Sequence, residues 1–333
     1  MKKYIKQIIK ATRDFLIHPV NEKTNKSLIL QGCLHAKLNH TLLQQEVFLD
    51  QVEFSVFSQN GEDGIIDFLI ELLEIEQNPD YQKAFVEFGV QNYTESNTRF
   101  LLEKRNWFGC VIDGSKENIT YIKHDNIYWR HDLEAIHSFI TKDNINKIIS
   151  DWLKSRDIKK DIALLSIDID GVDYYVWENI SCISPAIVII EFNALFGAKE
   201  KITVPYRDDF VREKAHYSNL FFGASIQALI HLGKLKDYTF VGADKSGTNL
   251  FFVKTNLLGK CKNIKVKSAQ EYCDFHLARQ SRSNQQGGGG LTYLHTKQRL
   301  QAIQDCQVVC IGQDDGMQNM QQLGDLCFQN NHS

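Results

Sequence analysis

Short apolar runs alternate with amphipathic stretches through the middle of the chain, a pattern that predicts a layered α/β fold. Residues 56–73 open on the polar turn SQNGED and continue as a helix with Ile65, Ile66, Phe68, Leu69 and Leu72 apolar. Residues 84–89 (AFVEFG) predict a buried strand, 97–106 a helix, and 109–113 (GCVID) a second strand. A weaker third strand is expected at 126–129, followed by a helical stretch over 133–155. Residues 162–168 and 186–192 continue the series of near-continuous apolar runs. Strands of this composition, separated by helices, belong to a parallel sheet covered on both faces.

The end of the series differs. A helix over 224–235 leads to the strand 238–242 (YTFVG), and the turn ADKSGT runs directly into 249–254 (NLFFVK). Strands joined by so short a turn are antiparallel neighbours. The expected fold is therefore α/β and Rossmann-like, a mostly parallel seven-stranded sheet with a terminal antiparallel hairpin. That is the class I methyltransferase arrangement; dinucleotide-binding domains normally lack the hairpin.

Around this core domain, 54–258, the pattern sets off an N-terminal helical arm, 1–53, and a Gln- and Asn-rich appendage, 259–333. The appendage carries the tetraglycine 287–290 in a flexible loop and a helix at 296–303. Within residues 1–17, Ile5, Ile8, Ile9, Phe15 and Leu16 share one helical face and Lys2, Lys3, Lys6, Lys10 and Arg13 lie elsewhere. Such a helix packs on its own domain, or lies on a membrane surface or a partner.

Hydrophobic content of 43% and charged content of 24% are those of a soluble globular protein. A formal net charge of −3 gives no pull toward nucleic acid. Eight cysteines without a CxxC pair fit a reducing cytoplasm.

Ligands of open α/β sheets bind beyond the carboxyl ends of the strands. Pyrophosphate cofactors need a Gly-rich turn there, but Glu87-Phe88-Gly89-Val90-Gln91-Asn92-Tyr93 holds a single glycine. A nicotinamide or flavin dinucleotide is thus disfavoured. S-adenosylmethionine carries no phosphate, so one close-approach glycine suffices, and Glu87 is placed for its ammonium and sulfonium charges. Asp113 ends the second strand 24 residues after Gly89, near the spacing at which an acid accepts ribose hydroxyls. Asp132, after the expected third strand, is a candidate for the adenine region. Gln59, Glu62 and Asp63 of SQNGED either fold over the cofactor or form a capped turn.

FVEFGVQNYTESNTRFLLE, GCVIDGS and LLSIDIDGVDYYVWENI together resemble FkbM-type methyltransferases. FSQNGEDGI, IIEFN, VPY, FFGASIQAL and GTNLFFVK are similar to segments of the same family, with LTYLHTKQRL an outlying part. The resemblance spans residues 54–254. It implies S-adenosylmethionine binding, with Ser115 of GCVIDGS beside Asp113. It also implies O-methyl transfer onto a sugar, glycan precursor or related small molecule. The family's acid-glycine motif maps onto Glu87 and Gly89, and its Asp-x-Glu-Gly motif onto Asp168-Ile169-Asp170-Gly171. Tyr93 stands where a second glycine is frequent. A scaffold that binds cofactor without turnover is the alternative reading.

Methyl transfer requires a positioned nucleophile and removal of its proton. Asp168, Asp170 or His216 could serve as general base. Alternatively Asp168 or Asp170 joins Glu191 and Asn193 to hold Mg²⁺, a hard cation that prefers oxygen ligands. Purely structural roles for these residues are the third reading. Tyr206, Arg207, Arg212 and Tyr217 lie in a loop suited to substrate contact.

Overall fold

Seven strands build one sheet: β1 (Gln82–Phe88), β2 (Phe108–Asp113), β3 (Leu133–His137), β4 (Ile162–Ile167), β5 (Ile187–Glu191), β6 (Tyr238–Ala243) and β7 (Asn249–Lys254). Their order is β3-β2-β1-β4-β5-β7-β6. β1 to β5 are parallel, whereas β7 runs antiparallel to both β5 and β6. This is the class I methyltransferase fold, with the strand order reversing between β1 and β4. The computed structural model describes residues 23–278, 281–286, 290–312 and 319–328. The amphipathic face expected in residues 1–17 and most of the tetraglycine lie outside the described residues.

Period-two alternation feeds two cores from one sheet. Val86, Ile112, Leu165, Val188 and Phe252 pack on one face with Ile149, Trp152, Trp177 and Leu229. Their neighbours Phe85, Val111, Leu164, Ile189 and Phe251 pack on the other with Ile65, Phe68, Leu101 and Ile122. Because both faces are covered, the strands read as apolar runs.

Two expectations change. Residues 126–129 are not a strand: Asp125 caps a short helix, Asn126–Arg130, its carboxylate accepting the Ile127 N–H at 2.9 Å. The third strand is β3, inside the stretch expected to be helical, and the helix that follows begins only at Ile145. β3 lies at the sheet edge, so its sequence LEAIH alternates buried and half-exposed positions instead of forming an apolar run.

The appendage is also less separate than its composition implies. Gln307–Cys310 pairs antiparallel with the short strand Ile202–Thr203 and with Asn319–Gln322. Ile303, Val308 and Leu323 are fully buried in the same core as Leu229 and Leu232. On the N-terminal side, Val47–Phe48 pairs with Ile264–Lys265, and Asn39 donates to the Val52 carbonyl at 2.6 Å. Among the described residues, no helix is long and apolar enough to cross a membrane.

Candidate functional site

Beyond the carboxyl ends of β1, β2 and β4 the chain leaves a cavity at the point where strand order reverses. Its first wall is the loop after β1. Gly89, Gln91 and Tyr93 all adopt left-handed backbone, with φ of 72°, 47° and 62°. A Cβ on Gly89 would lie 1.6 Å from the Asp168 carbonyl oxygen, so glycine is required there by the close approach of two loops of the sheet. Tyr93 takes a left-handed conformation that falls more often to glycine. Its ring is buried and its hydroxyl bonds Thr98 Oγ1 at 2.8 Å, which holds the strained turn.

Asp113 forms the second wall. Its Oδ1 accepts the Ser115 N–H at 2.8 Å and Asn118 Nδ2 at 3.1 Å, and its Oδ2 accepts the Gln91 N–H at 2.8 Å. One acceptor position thus remains on Oδ2. Asp168 and Asp170 close the cavity opposite, with Phe139 and Phe210 as its apolar sides. Among the described residues, three acids and no cationic side chain line this space.

Several expected cofactor residues do other work. Glu87 does not face the cavity. Its carboxylate accepts the N–H groups of Asn97 and Thr98, at 2.8 and 3.1 Å, and the Thr98 hydroxyl at 2.5 Å. It closes the turn before the helix Arg99–Arg105, and burial pushes it up to about 7 against those bonds. Ser115 caps the helix Lys116–His124, accepting the Asn118 N–H at 3.2 Å. Asp132 precedes β3 and so lies at the amino end of the sheet, paired with Arg156. That position removes it from the candidate site. In SQNGED, Glu62 and Asp63 tie the turn: Asp63 accepts three N–H groups, from Val56, Phe57 and Ser58. Gln59 is exposed and lines a second cavity.

That second cavity, about 710 Å³, adjoins the first beyond β5 and shares Phe139, Ile169, Asp170 and Phe210 with it. Its size is that of a small-molecule pocket. At the junction, carboxylate oxygens of Asp168, Asp170 and Glu191 all lie within 4.8 Å of one another. Asp173 shapes the loop that carries the two aspartates, accepting the Ile169 and Gly171 N–H groups at 2.8 and 2.9 Å. Asp170 sits at φ 54°. Burial, and then their negative neighbours, push Asp168 and Glu191 well above the usual carboxylate range. Glu191 Oε2 is buried without a hydrogen-bond partner. Arg212 offsets part of the charge, pairing with Asp170 and standing 3.9 Å from Glu191. Its guanidinium carbon lies over Phe222, 3.6 Å from the ring centre, and its Nε donates to the Asn219 carbonyl at 2.7 Å.

Two further expectations are corrected here. His216 does not line the cavity: its Nδ1 engages the Ser218 hydroxyl at 2.7 Å and its ring packs on Tyr217. Burial lowers its affinity for a proton. The Asn193 amide is committed to backbone, donating to Leu220 and Phe222 carbonyls and accepting the Leu195 N–H. The oxygen cluster is therefore Asp168, Asp170 and Glu191. Arg299, from the helix Thr296–Ile303, lines the second cavity although it was read as part of an appendage.

No family model matches the chain, and no curated protein matches it. Its likeness to FkbM-type enzymes therefore rests on the motifs alone. Among solved structures the chain is similar to a putative sarcosine dimethylglycine methyltransferase from Galdieria sulphuraria, at 8% identity and a TM-score of 0.33. That match covers 54% of this chain and 60% of the other, less than two thirds of the relative's length. It is similar to the CurJ carbon methyltransferase at 8% identity and a TM-score of 0.37, over 70% of each chain. The N-terminal domain of EvdMO1, solved with SAH bound, matches at 8% and 0.36, over 60% of this chain and 82% of that one. Likeness this remote identifies neither reaction nor substrate.

Proposed function

We propose that the chain is an S-adenosylmethionine-dependent methyltransferase that acts on a hydroxyl of a sugar, glycan precursor or related small molecule. The observation that carries this reading is the acidic lining of the first cavity: Asp113, Asp168 and Asp170 line it, and among the described residues no lysine or arginine does. Such a lining repels phosphates and favours a cationic, phosphate-free nucleoside. Asp113 offers an acceptor to a ribose hydroxyl, and the left-handed loop Gly89–Tyr93 shapes the floor. Bound there, S-adenosylmethionine supplies an electrophilic methyl group. The acceptor enters from the second cavity. Asp168 and Glu191, side by side and both loath to ionise, share one proton and leave one carboxylate able to take the hydroxyl proton.

A second reading uses the same oxygens. The orphaned Glu191 Oε2, with Asp168 and Asp170, fits a hard divalent cation such as Mg²⁺, which would neutralise the cluster and acidify the acceptor hydroxyl. Titration calorimetry with S-adenosylhomocysteine tests the cofactor assignment: one site per chain supports it, and no heat rejects it. Peripheral attachment through residues 1–17 is a further proposal, tested by vesicle sedimentation with and without that segment.

A further inference from the structure

The helix over residues 23–40 is mounted with an apolar stripe facing outward. Leu30, Leu34 and Leu38, spaced four residues apart and so stacked on one side, are exposed at 66, 62 and 64%. The opposite side packs on the domain through small residues. Gly32 and Ala36 are buried, and a Cβ on Gly32 would stand 2.5 Å from Val56 Cγ2 and 3.0 Å from Phe100 Cε2. Asn39 and His40 fasten the end of the helix, bonding the Val52 carbonyl at 2.6 Å and Asp67 at 3.1 Å. The leucines are thereby held away from the core, and an exposed apolar stripe of this kind marks an interaction surface.

Charge decides what covers it. Lys26 lies one turn before Leu30 and Lys37 one turn after Leu34, and both are exposed, as is Lys23. Residues 23–40 contain no acid. Residues 1–40 hold eight lysines and arginines against two acids, although the whole chain has a net charge of −3. A second copy of the helix, or the lysine-bearing residues 1–17, would set like charge against like. Nucleic acid would meet the lysines but leave the leucines in water. An anionic lipid surface takes both, the lysines at its headgroups and the leucines at the edge of its acyl layer. Beside the helix, Trp129 is 72% exposed and donates to Asn126, which lines one cavity with Asn25 and Lys26. Tryptophan is the residue type enriched where membrane meets water.

We infer that residues 23–40 form a membrane-docking helix that lies on anionic lipid, with Leu30, Leu34 and Leu38 entering the acyl boundary and Lys23, Lys26 and Lys37 on lipid phosphates. The inference stands on the mounting of this helix and does not depend on the cofactor reading. Residues 1–17 add charge of the same sign.

Sedimentation of the full chain with vesicles of phosphatidylcholine alone, and of phosphatidylcholine mixed with phosphatidylglycerol, tests this. The expected result is binding to the mixed vesicles that salt weakens, and far less to the neutral ones. Replacing all three leucines together (Leu30→Gln, Leu34→Gln and Leu38→Gln) preserves helix propensity and leaves residues 1–17 in place. It should weaken binding by about tenfold or more. Lys26→Glu combined with Lys37→Glu should abolish the preference for anionic lipid. These side chains are exposed, so both variants should melt like the parent. If the leucine variant fails to fold, the lysine variant decides. Absence of binding, equal binding to both kinds of vesicle, or a folded leucine variant that binds like the parent overturns the inference. So does a lipid-free dimer that the leucine variant dissociates, which would assign the stripe to a second copy. Tighter binding of polyuridylate than of vesicles would likewise overturn it and assign the lysines to nucleic acid.

Discussion

The carboxyl groups of Asp168 and Glu191 stand side by side at the ends of adjacent parallel strands, within 4.8 Å of each other and of Asp170. Burial and mutual repulsion keep both from ionising together. The pair therefore acts as one proton-holding unit at the junction of the two cavities. Asp168→Asn removes its ability to take up a proton while keeping side-chain volume. Turnover should fall by roughly 10²-fold or more, the usual worth of a general base. Affinity for S-adenosylhomocysteine should stay within about threefold, a margin of well under 1.4 kcal/mol. Single-turnover rates and calorimetry check the two halves separately.

Chelation distinguishes the two readings of the same cluster. With a carboxylate base, turnover in EDTA matches that of the untreated protein. If EDTA abolishes turnover and Mg²⁺ restores it, Asp168, Asp170 and Glu191 are metal ligands, and Glu191→Gln should weaken Mg²⁺ binding measured directly.

Asp113→Ala should weaken S-adenosylhomocysteine binding by on the order of 1–3 kcal/mol, because the ribose hydroxyls lose a charged acceptor. It also strips a partner from the Gln91 and Ser115 N–H groups, so the melting temperature should fall. Unchanged affinity would place the ribose elsewhere.

Gly89→Ala should be among the most damaging single substitutions in the chain. It combines a left-handed backbone with a Cβ driven into the Asp168 carbonyl oxygen. Urea unfolding should show a loss of roughly 2 kcal/mol or more. A variant of parental stability would mean that the two loops are not in contact.

Stability should increase on mild acidification. Burial raises Glu53 and Glu87 to about 7, Asp63 and Asp173 to about 6, and Asp244 to about 8, all above their ordinary values. Over the window from about 4 to about 8 the folded chain therefore holds more protons than the unfolded chain. The contribution of these groups is complete below their unfolded values and is lost as pH rises through their folded values. Asp67 acts the other way: burial would raise it, but Arg105 and Lys104 outweigh that and hold it low, so its contribution disappears in acid. The melting temperature should thus be higher at pH 6 than at pH 8.5. Glu53→Gln, which keeps an acceptor for the Lys245 N–H, should flatten that rise.

The central sheet was legible because its inner strands are buried on both faces and read as apolar runs, and because the 238–254 hairpin must be antiparallel. β3 was not, since this edge strand lacks the continuous apolar run of the inner strands, while Ile127, Tyr128 and Trp129 mimic a strand despite the Asp125 cap. That single error put Asp132 at the carboxyl end of the sheet, whereas it lies at the amino end. Asp168, Asp170 and Glu191 could be placed together because acids at the ends of neighbouring parallel strands must converge. Glu87 shows the limit of the same logic: an acid at a strand end can turn to a ligand or to the next helix, and here three donors claim it. Arg299 had no local signal, because its position follows from the pairing of Gln307–Cys310 with Ile202–Thr203.

A crystal structure of the chain soaked with S-adenosylhomocysteine tests the central claim most directly. The account predicts the ribose against Asp113, the loop Gly89–Tyr93 beneath it, and the sulfur directed toward the Asp168–Glu191 junction. A fully soaked crystal whose cavity stays empty, or a cofactor bound at another edge of the sheet, would contradict it.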